Sequence, residues 1–256
     1  IASVPKPDFL RELSAFQKTN HFPGIWNLGR KDNLWRNISK MKRKFGKEYE
    51  ICPLTFILPE DYKRFLNERE ERPKALWIMK PSASSCGRGI KILSKKTHVT
   101  KRNGQVISKY VSKPHTINGF KYDLRLYVCV TSFDPLRIYF YKEGLVRFAT
   151  EAYTGDKKHI KKRFMHLTNF SVNKKSDKFV KNQDSGESQG SKWSLEELKA
   201  ELERLGENFE EVLKRIYDVI IKTCISVEPH VVNTLNQCNK RNCCFETYGF
   251  DILLDH

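Results

Sequence analysis

Apolar and polar residues recur along this chain at two spacings, one typical of helices and one typical of strands. Helical spacing predicts helices over residues 8–18, 34–44 and 59–72. A capping box, Ser194-Leu-Glu-Glu197, predicts another helix start. A long helix is predicted after Gly206, with one apolar stripe formed by Phe209, Val212, Leu213, Ile216 and Ile220.

Alternation at period two predicts strands over residues 52–58 and 105–111, a strand-loop-strand hairpin over 77–93, and a final strand over 246–255. Residues 120–150 are predicted to form a three-stranded meander with turns at Asp134-Pro135 and Glu143-Gly144. The polar segments 153–163 and 174–192 are predicted to be mobile loops. Because helices and strands alternate irregularly, the fold class is predicted to be mixed α/β or α+β.

Composition indicates a folded, soluble chain. Its 256 residues are 39% hydrophobic, which is enough for a core. No apolar run is long enough to span a membrane and no signal peptide is visible, so we expect no membrane association. The absence of an initiator methionine suggests an excised fragment.

The seven cysteines favour a reducing compartment, because their number is odd and their spacing unpaired. Cys238, Cys243 and Cys244 could suggest zinc, but no second pair of ligands lies nearby.

Basic residues dominate the charge, and the formal net charge is +17. They cluster, with seven in residues 31–47, five in 157–163 and four in 174–181. Such a surface attracts a polyanion, which could be nucleic acid, an acidic membrane or an acidic protein, whereas solvated lysine-rich loops would give the same composition. No nucleic-acid-binding motif accompanies the charge, so we expect no nucleic acid partner.

The hairpin of residues 77–93 contains the first candidate for chemistry. Lys80 ends one strand, and a loop of small residues leading to Gly87 connects it to the next. Backbone N–H groups of such a loop can approach an anion, and the lysine adds a fixed charge. The loop leads into a strand, unlike a Walker A loop, which opens into a helix. A phosphate cover and an ordinary surface hairpin both fit.

Three further clusters carry candidate site residues. Period two places Lys121, Asp123, Arg125 and Tyr127 on one face of a strand, as either a nucleotide-binding face or a solvated charged face. The segment His166-Leu-Thr168-Asn169-Phe170-Ser171-Val-Asn173 is either a turn network or part of a site. Asp251, on one face of an apolar strand with Asp255, is either a Mg²⁺ ligand or a simple strand-end aspartate.

Taken together and in order, these segments resemble the tubulin tyrosine ligase-like family, and most closely its polyglutamylases of the initiating type. The resemblance covers the chain from about Asn20 to Asp255. The strings that carry it are Lys80-Pro with its glycine loop, Ile107-Ser-Lys109-Tyr110-Val111, Lys121-Tyr-Asp123-Leu-Arg125-Leu-Tyr127, Gly144-Leu-Val-Arg147-Phe148, His166-Leu-Thr168-Asn169-Phe-Ser and Tyr248-Gly-Phe-Asp251-Ile-Leu-Leu-Asp255.

The resemblance implies an ATP-grasp fold with the nucleotide held between two lobes. It also implies an N-terminal lobe over residues 1–60, a central subdomain over 61–115 and an incomplete C-terminal subdomain over 116–256. The family joins an amino acid to a protein carboxylate, so the expected activity is ATP-dependent addition of glutamate to glutamate residues of acidic tubulin tails. The expected cofactors are ATP and Mg²⁺, and the expected partners are tubulin or microtubules and free glutamate.

The implied roles of individual residues follow the family's motifs. Catalysis would use Arg125 and Arg147. The residues implied to bind the nucleotide are Lys80, Gly87, Ser108, Lys109, Tyr110, Val111, Lys121, Tyr122, Asp123, Thr168 and Asn169, with the backbone of residues 108–111 holding adenine. The residues implied to bind the substrates are Cys86, Arg147, Phe170, Ser171 and Lys192. Asp251 would bind the metal.

Departures from the family pattern leave alternatives. Ser108 replaces a common glutamine, and Cys86 stands where relatives carry arginine or glutamine, which affects the choice of acceptor. The family continues into a strand with a Glu-x-Asn pair, so the chain is expected to be truncated and this fragment alone to be weak or inactive. A glycine or tyrosine ligase and an inactive microtubule-binding module remain alternatives. We expect a monomer in the cytoplasm on the cytoskeleton, with a cilium, flagellum or basal body as possible locations.

Overall fold

The computed structural model describes residues 5–84, 87–180, 191–238 and 242–255. The helices are α1 Pro7–Glu12, α2 Trp26–Gly29, α3 Lys31–Phe45, α4 Tyr62–Glu71, α5 Arg163–His166, α6 Phe170–Asn173, α7 Leu195–Arg204 and α8 Phe209–Gln237. The strands are β1 Thr55–Leu58, β2 Trp77–Pro81, β3 Lys91–Leu93, β4 Gln105–Lys109, β5 Thr116–Ile117, β6 Phe120–Phe133, β7 Leu136–Phe148, β8 Lys192–Ser194 and β9 Glu246–Ile252. Short 3₁₀ turns occur at Gly46–Tyr49 and Lys157–His159.

The chain forms two compact units, each assembled from three separate segments. The first unit contains Ile1–Glu50, Arg125–Gly144 and Lys199–Phe250, and the second contains Ile51–Leu124, Leu145–Leu198 and Asp251–His256. The units are interleaved along the chain, so they do not test the division at residues 60/61 and 115/116, which stays a prediction.

A four-stranded antiparallel sheet in the order β1-β4-β2-β3 lies in the second unit. Helix α4 packs against β1. Aromatic residues fill the core beneath this sheet, where the Phe65 and Trp77 rings meet edge to face with centroids 5.4 Å apart. The antiparallel pairing of β2 with β3 confirms the predicted hairpin and places Lys80 at the end of β2.

Two long strands, β6 and β7, belong to a five-stranded sheet in the order β5-β6-β7-β8, with β9 also paired to β6. The predicted alternation of β6 is confirmed, because Tyr122, Leu124, Leu126 and Val128 are buried on one face. The predicted turn at Glu143-Gly144 is wrong. Strand β7 continues through both residues because Gly144 packs in the interior and its φ is not positive.

Helix α8 is the longest helix of the first unit, and α1, α2 and α3 pack against it. Its apolar stripe is buried at Phe209, Ile216 and Ile220, as predicted. Asn208 caps its start, accepting from the N–H groups of Glu210 at 3.0 Å and Glu211 at 3.3 Å. Helix α1, predicted to reach residue 18, ends at Glu12 because the next residue adopts an extended backbone.

The start of α7 and the last strand, β9, were also predicted from local spacing. The capping box is confirmed, since the Glu197 N–H donates to Ser194 Oγ at 3.1 Å. The last strand is shorter than predicted, because β9 ends at Ile252 and Asp255 forms only an isolated bridge with Pro114. Within the part of the chain that the structure describes, no helix is long and apolar enough to cross a membrane.

Candidate functional site

Lys121 lies on the predicted charged face of β6, yet its side chain is buried, with only 6% of the residue exposed. Its ammonium donates to the Tyr110 hydroxyl at 3.0 Å and lies 4.5 Å from the centroid of that ring. Burial, together with the charge of Lys80, lowers the pKa of Lys121 to about 8, although Asp123 opposes the change. Two lysines therefore converge in one place of the second unit, which suits an anion.

The Tyr110 hydroxyl connects Lys121 to a buried histidine. It lies 2.9 Å from Nδ1 of His166, whose Nε2 lies 3.1 Å from the carbonyl oxygen of His159. Burial lowers the pKa of His166 and raises that of Tyr110, so both are neutral near pH 7. The nearby Tyr153 hydroxyl donates to the carbonyl of Ser112 at 3.0 Å.

Arg147 lies between two carboxylates. Its Nε and Nη2 donate to the two oxygens of Asp123 at 2.9 and 2.5 Å, and Nη2 also donates to Asp251 at 2.8 Å. Burial opposes the charge of Arg147, but the two carboxylates outweigh it and raise the pKa of Arg147. Burial raises the pKa of Asp123, while Arg147 and a hydrogen bond from Thr168 act in the opposite direction.

The predicted phosphate loop returns toward residues 166–173, here called the Thr-Asn segment. Gly87 has a φ of +68°, and a Cβ atom added there would lie 2.9 Å from Oδ1 of Asn169 and 3.0 Å from Cγ2 of Val172. Asn169 immediately precedes α6, and its carbonyl accepts from the N–H groups of Val172 and Asn173, each at 3.0 Å. The structure thus brings together Gly87 and Asn169, two residues predicted to bind the nucleotide.

Replacing Gly87 with alanine is expected to cost more stability than the same change at Gly104. Both glycines have a positive φ, so each variant should lose about 1 kcal/mol from backbone strain. Only Gly87→Ala also meets the Asn169 side chain, since nothing lies within 4 Å of a Cβ at Gly104. Urea denaturation of both variants measures the difference, and equal losses would show that the loop does not press on Asn169.

A small cavity lies beside this site. The residues that line it are Arg147, Phe148, Thr168, Phe170, Asn173, Phe179, Ser191 and Lys192. The Lys192 ammonium lies 4.0 Å from the centroid of the Phe170 ring, and the Phe179 ring meets Phe170 edge to face. Lys192 is also paired with Arg147 in the β7–β8 register. Three residues predicted to bind the substrate therefore lie together.

The segment predicted to hold adenine is partly occupied by sheet hydrogen bonds. The N–H groups of Lys109 and Tyr110 donate to Leu54 and Leu76 at 2.8 Å each, and the Ser108 hydroxyl bonds to Thr55 at 2.8 Å. These two amides are therefore not available to a base, so adenine would have to use other groups of residues 108–111.

Tyr122 is predicted to bind the nucleotide, but its side chain lies in the core, where its hydroxyl bonds to Nδ1 of His115 at 2.7 Å. It faces away from Lys121, so only its main chain could contact a nucleotide.

The roles predicted for Arg125 and Ser171 stay predictions. Arg125 belongs to the first unit, where its guanidinium passes so close to Gly249 that a Cβ there would come within 2.6 Å. Ser171 is half-buried in α6. Cys86 lies outside the described residues, so its predicted acceptor contact stays a prediction.

Sequence reasoning noted His166 but assigned it no role, because its partner Tyr110 lies 56 positions away. Asn173, the last polar residue of the same predicted cluster, is buried and makes structural hydrogen bonds. Nδ2 of Asn173 donates to the Leu167 carbonyl at 2.7 Å, while its Oδ1 accepts from the N–H of Thr150 at 3.1 Å. The polar composition of the Thr-Asn segment was the available signal, and it did not distinguish a structural hydrogen bond from a ligand contact.

The carboxylate predicted to bind the metal is partly exposed. Among residues 5–84, 87–180, 191–238 and 242–255, no three His, Cys, Asp or Glu side chains form a group that could hold a metal. The Asp251 side chain is 48% exposed, and Mg²⁺ is commonly bound through one or two carboxylates plus substrate phosphates. The Asp251 carboxylate also accepts from Arg147, and its role as a Mg²⁺ ligand stays a prediction.

Comparison with known proteins gives a consistent result. A model of the tubulin-tyrosine ligase family matches residues 10–256. The chain is 46% identical over 254 residues to tubulin monoglutamylase TTLL4 of Mus musculus, covering 98% of the chain and 21% of that protein. It is 43% identical over 254 residues to tubulin polyglutamylase TTLL5 of Mus musculus, covering 98% and 19%.

A third relative, tubulin polyglutamylase ttll6 of Danio rerio, is 40% identical over 253 residues, covering 97% of the chain and 32% of that protein. The chain thus spans between about a fifth and a third of the length of these relatives.

Proposed function

Because the chain belongs to the tubulin-tyrosine ligase family, we propose that it is the catalytic part of an ATP-dependent ligase with an ATP-grasp fold. The ligase adds glutamate to the γ-carboxylate of glutamate residues in acidic tubulin tails. The relatives named as tubulin glutamylases support the choice of glutamate and of tubulin. The net charge of +17 supports an acidic acceptor, since opposite charge steers association.

The observation that carries the proposal is the convergence of cations and carboxylates in the second unit. Lys80 and Lys121 are close enough for the charge of one to lower the pKa of the other. Their repulsion is unfavourable without an anion, and a polyphosphate would relieve it. Arg147, between Asp123 and Asp251, places a fixed guanidinium beside β6, the strand that carries Lys121. This arrangement suits phosphoryl transfer, in which catalysis consists of positioning and charge neutralisation.

The chemistry proceeds in two steps. The γ-carboxylate of the acceptor takes the terminal phosphoryl group of ATP, which gives an acyl phosphate and ADP. The amine of free glutamate then attacks the acyl carbon, an amide bond forms, and phosphate leaves. Lys80, Lys121 and Arg147 stabilise negative charge on the phosphoryl oxygens, and Lys192 beside Phe170 binds the carboxylate of the incoming amino acid. When bound, Mg²⁺ supplies further positive charge, and Asp251 is the residue that would hold it.

A labelling assay tests the proposal. Because this fragment alone is expected to be weak or inactive, the full-length protein is incubated with ATP, Mg²⁺, tubulin and one labelled amino acid at a time, and tail peptides are analysed by mass spectrometry. We expect mass increments of glutamate on tail glutamates, and none on tubulin whose acidic tails have been removed. Increments of glycine or tyrosine alone, or no increment, would contradict the proposal.

A further inference from the structure

Lys121, Tyr110 and His166 form a continuous buried chain of hydrogen bonds within the second unit. The Lys121 ammonium is 3.0 Å from the Tyr110 hydroxyl, which is 2.9 Å from Nδ1 of His166. All three residues are at least nine-tenths buried. This series of hydrogen bonds ends at the carbonyl oxygen of His159, 3.1 Å from Nε2 of His166. Such a chain holds polar groups in fixed orientations only if every donor faces an acceptor.

The direction of each hydrogen bond follows from the groups at the two ends. A carbonyl oxygen only accepts, so Nε2 of His166 carries the hydrogen and, in the neutral ring, Nδ1 is an acceptor. Nδ1 then needs a donor, and the Tyr110 hydroxyl is the group 2.9 Å from it, while the Tyr110 oxygen accepts from Lys121. The Tyr153 hydroxyl, a further partner of Tyr110, uses its own hydrogen on the Ser112 carbonyl. An ammonium can only donate, so this is the orientation that satisfies all three side chains.

This orientation matters because the Lys121 ammonium is repelled by a second lysine and needs a contact that holds it in place. Lys80 carries the same charge nearby, and burial also disfavours the charged form of Lys121. A lysine side chain is flexible, with several rotatable bonds. The Tyr110 oxygen and the face of its ring, 4.5 Å from Nζ, offset this repulsion together with the Tyr153 ring at 5.9 Å and the charge of Asp123.

We propose that Tyr110 and His166 are positioning residues that hold the Lys121 ammonium beside Lys80 in the geometry that binds the nucleotide polyphosphate. His166 fixes the orientation of the Tyr110 hydroxyl, and Tyr110 fixes Lys121. This inference rests on the proposed function, since it assigns two additional residues to the same ATP site. Neither residue needs to contact the nucleotide through its side chain for this role.

The same unit contains a matched histidine for comparison. His115 is as buried as His166, its Nδ1 lies 2.7 Å from the Tyr122 hydroxyl, and its ring meets the tyrosine ring edge to face at 5.7 Å, the same separation as in the Tyr110–His166 pair. The tyrosine bonded to His115 faces the core, away from Lys121. A His115→Leu variant therefore loses a similar buried contact without disturbing the lysine.

The experiment measures the affinity of the purified protein for ATP with Mg²⁺ by isothermal titration calorimetry, without tubulin. We expect His166→Leu to weaken ATP binding about tenfold, because the hydrogen bond of the charged Lys121 to Tyr110 is then no longer held in place, and a bond of that kind contributes about this much. His115→Leu should leave the affinity unchanged while losing comparable thermal stability. His166→Asn, whose amide oxygen can accept from Tyr110, should recover most of the affinity. Tyr110→Phe, which removes only the hydroxyl, should weaken binding as His166→Leu does.

A double variant separates positioning from general damage. If His166 acts through Lys121, adding His166→Leu to Lys121→Met should cause no further loss of ATP affinity. Equal weakening in the two histidine variants, or an undiminished effect of His166→Leu in the Lys121→Met protein, would overturn this inference while leaving the proposed function intact. A wild-type protein that binds no ATP would overturn both.

Discussion

An Arg147→Met variant is expected to lose both activity and stability. Asp123 and Arg147 are each 13% exposed at their side chains, so the substitution leaves a carboxylate buried without its main partner. Breaking a buried ion pair from one side costs about 3–5 kcal/mol. Loss of the guanidinium should also lower glutamate transfer to tubulin by about a hundredfold or more, the effect typical of removing a preorganised charge-stabilising group.

The control for Arg147→Met lies on the same strand. Arg137 is exposed on β7, and Arg137→Met should change neither the free energy of unfolding nor the rate of transfer appreciably. In Arg147→Met, the pKa of Asp123 should rise further, because burial raises it and Arg147 no longer opposes burial. An acid whose folded pKa is raised loses stability as pH increases. The deficit should therefore be smaller at pH 5 than at pH 8, and a pH-independent deficit would contradict this account.

A Lys121→Met variant is expected to separate binding from stability. Methionine is similar in length and apolar, so it removes a buried charge that is repelled by Lys80. Stability should stay the same or rise by about 1 kcal/mol, as when buried charges are replaced by apolar groups of similar volume. ATP affinity should fall about tenfold to a hundredfold, because a charge-assisted hydrogen bond to phosphate is lost. Calorimetric titration with ATP and urea denaturation measure the two effects.

Lys91→Met, at an exposed position of β3 in the same unit, is the control for Lys121→Met and should change neither quantity. A Lys121→Met protein that is strongly destabilised and binds ATP normally would show that Lys121 serves the fold and not the nucleotide.

The lowered pKa of Lys121 also determines whether this group makes the protein more or less stable as pH rises. The unfolded chain keeps this proton up to about pH 10.5, whereas the folded protein releases it near pH 8. Between these values the unfolded state binds more protons, so this group makes the wild type more stable as pH rises. Subtracting the Lys121→Met stability removes the other titrating groups. The difference, wild type minus variant, should increase from pH 7 to pH 9.5, and a decrease would contradict the assignment.

Sequence reasoning predicted those features of the fold that depend on neighbours in the chain. The burial alternation of β6 and the capping box at Ser194 follow from local spacing, and both are confirmed. The turn predicted at Glu143-Gly144 is wrong, because glycine often interrupts a strand but Gly144 is buried within the continuous strand β7. Period two identified the face of Lys121 but not its burial.

The site was predictable where side chains share one strand and not where they meet across the fold. Asp123 and Arg147 lie 24 positions apart, and no spacing rule indicates that they pair bidentately. Lys121 contacts Tyr110, which lies in a separate segment of the chain. The orientation of the Tyr110 hydroxyl depends in turn on His166, which lies further along the sequence. Such contacts are determined by tertiary packing, which period and propensity do not encode.

The interleaved segments of the two units have a consequence for synthesis on the ribosome. A nascent chain that has reached residue 200 already contains Arg147 and Asp123, but Asp251, 104 positions after Arg147, has not yet been made. Both units also include residues after 198, so neither can complete its contacts before those residues have been made. Contacts of this sequence separation slow folding. Until then the partly folded chain would expose apolar surface, which favours binding by chaperones during synthesis. Slower translation before residue 199 would not help either unit to complete its fold.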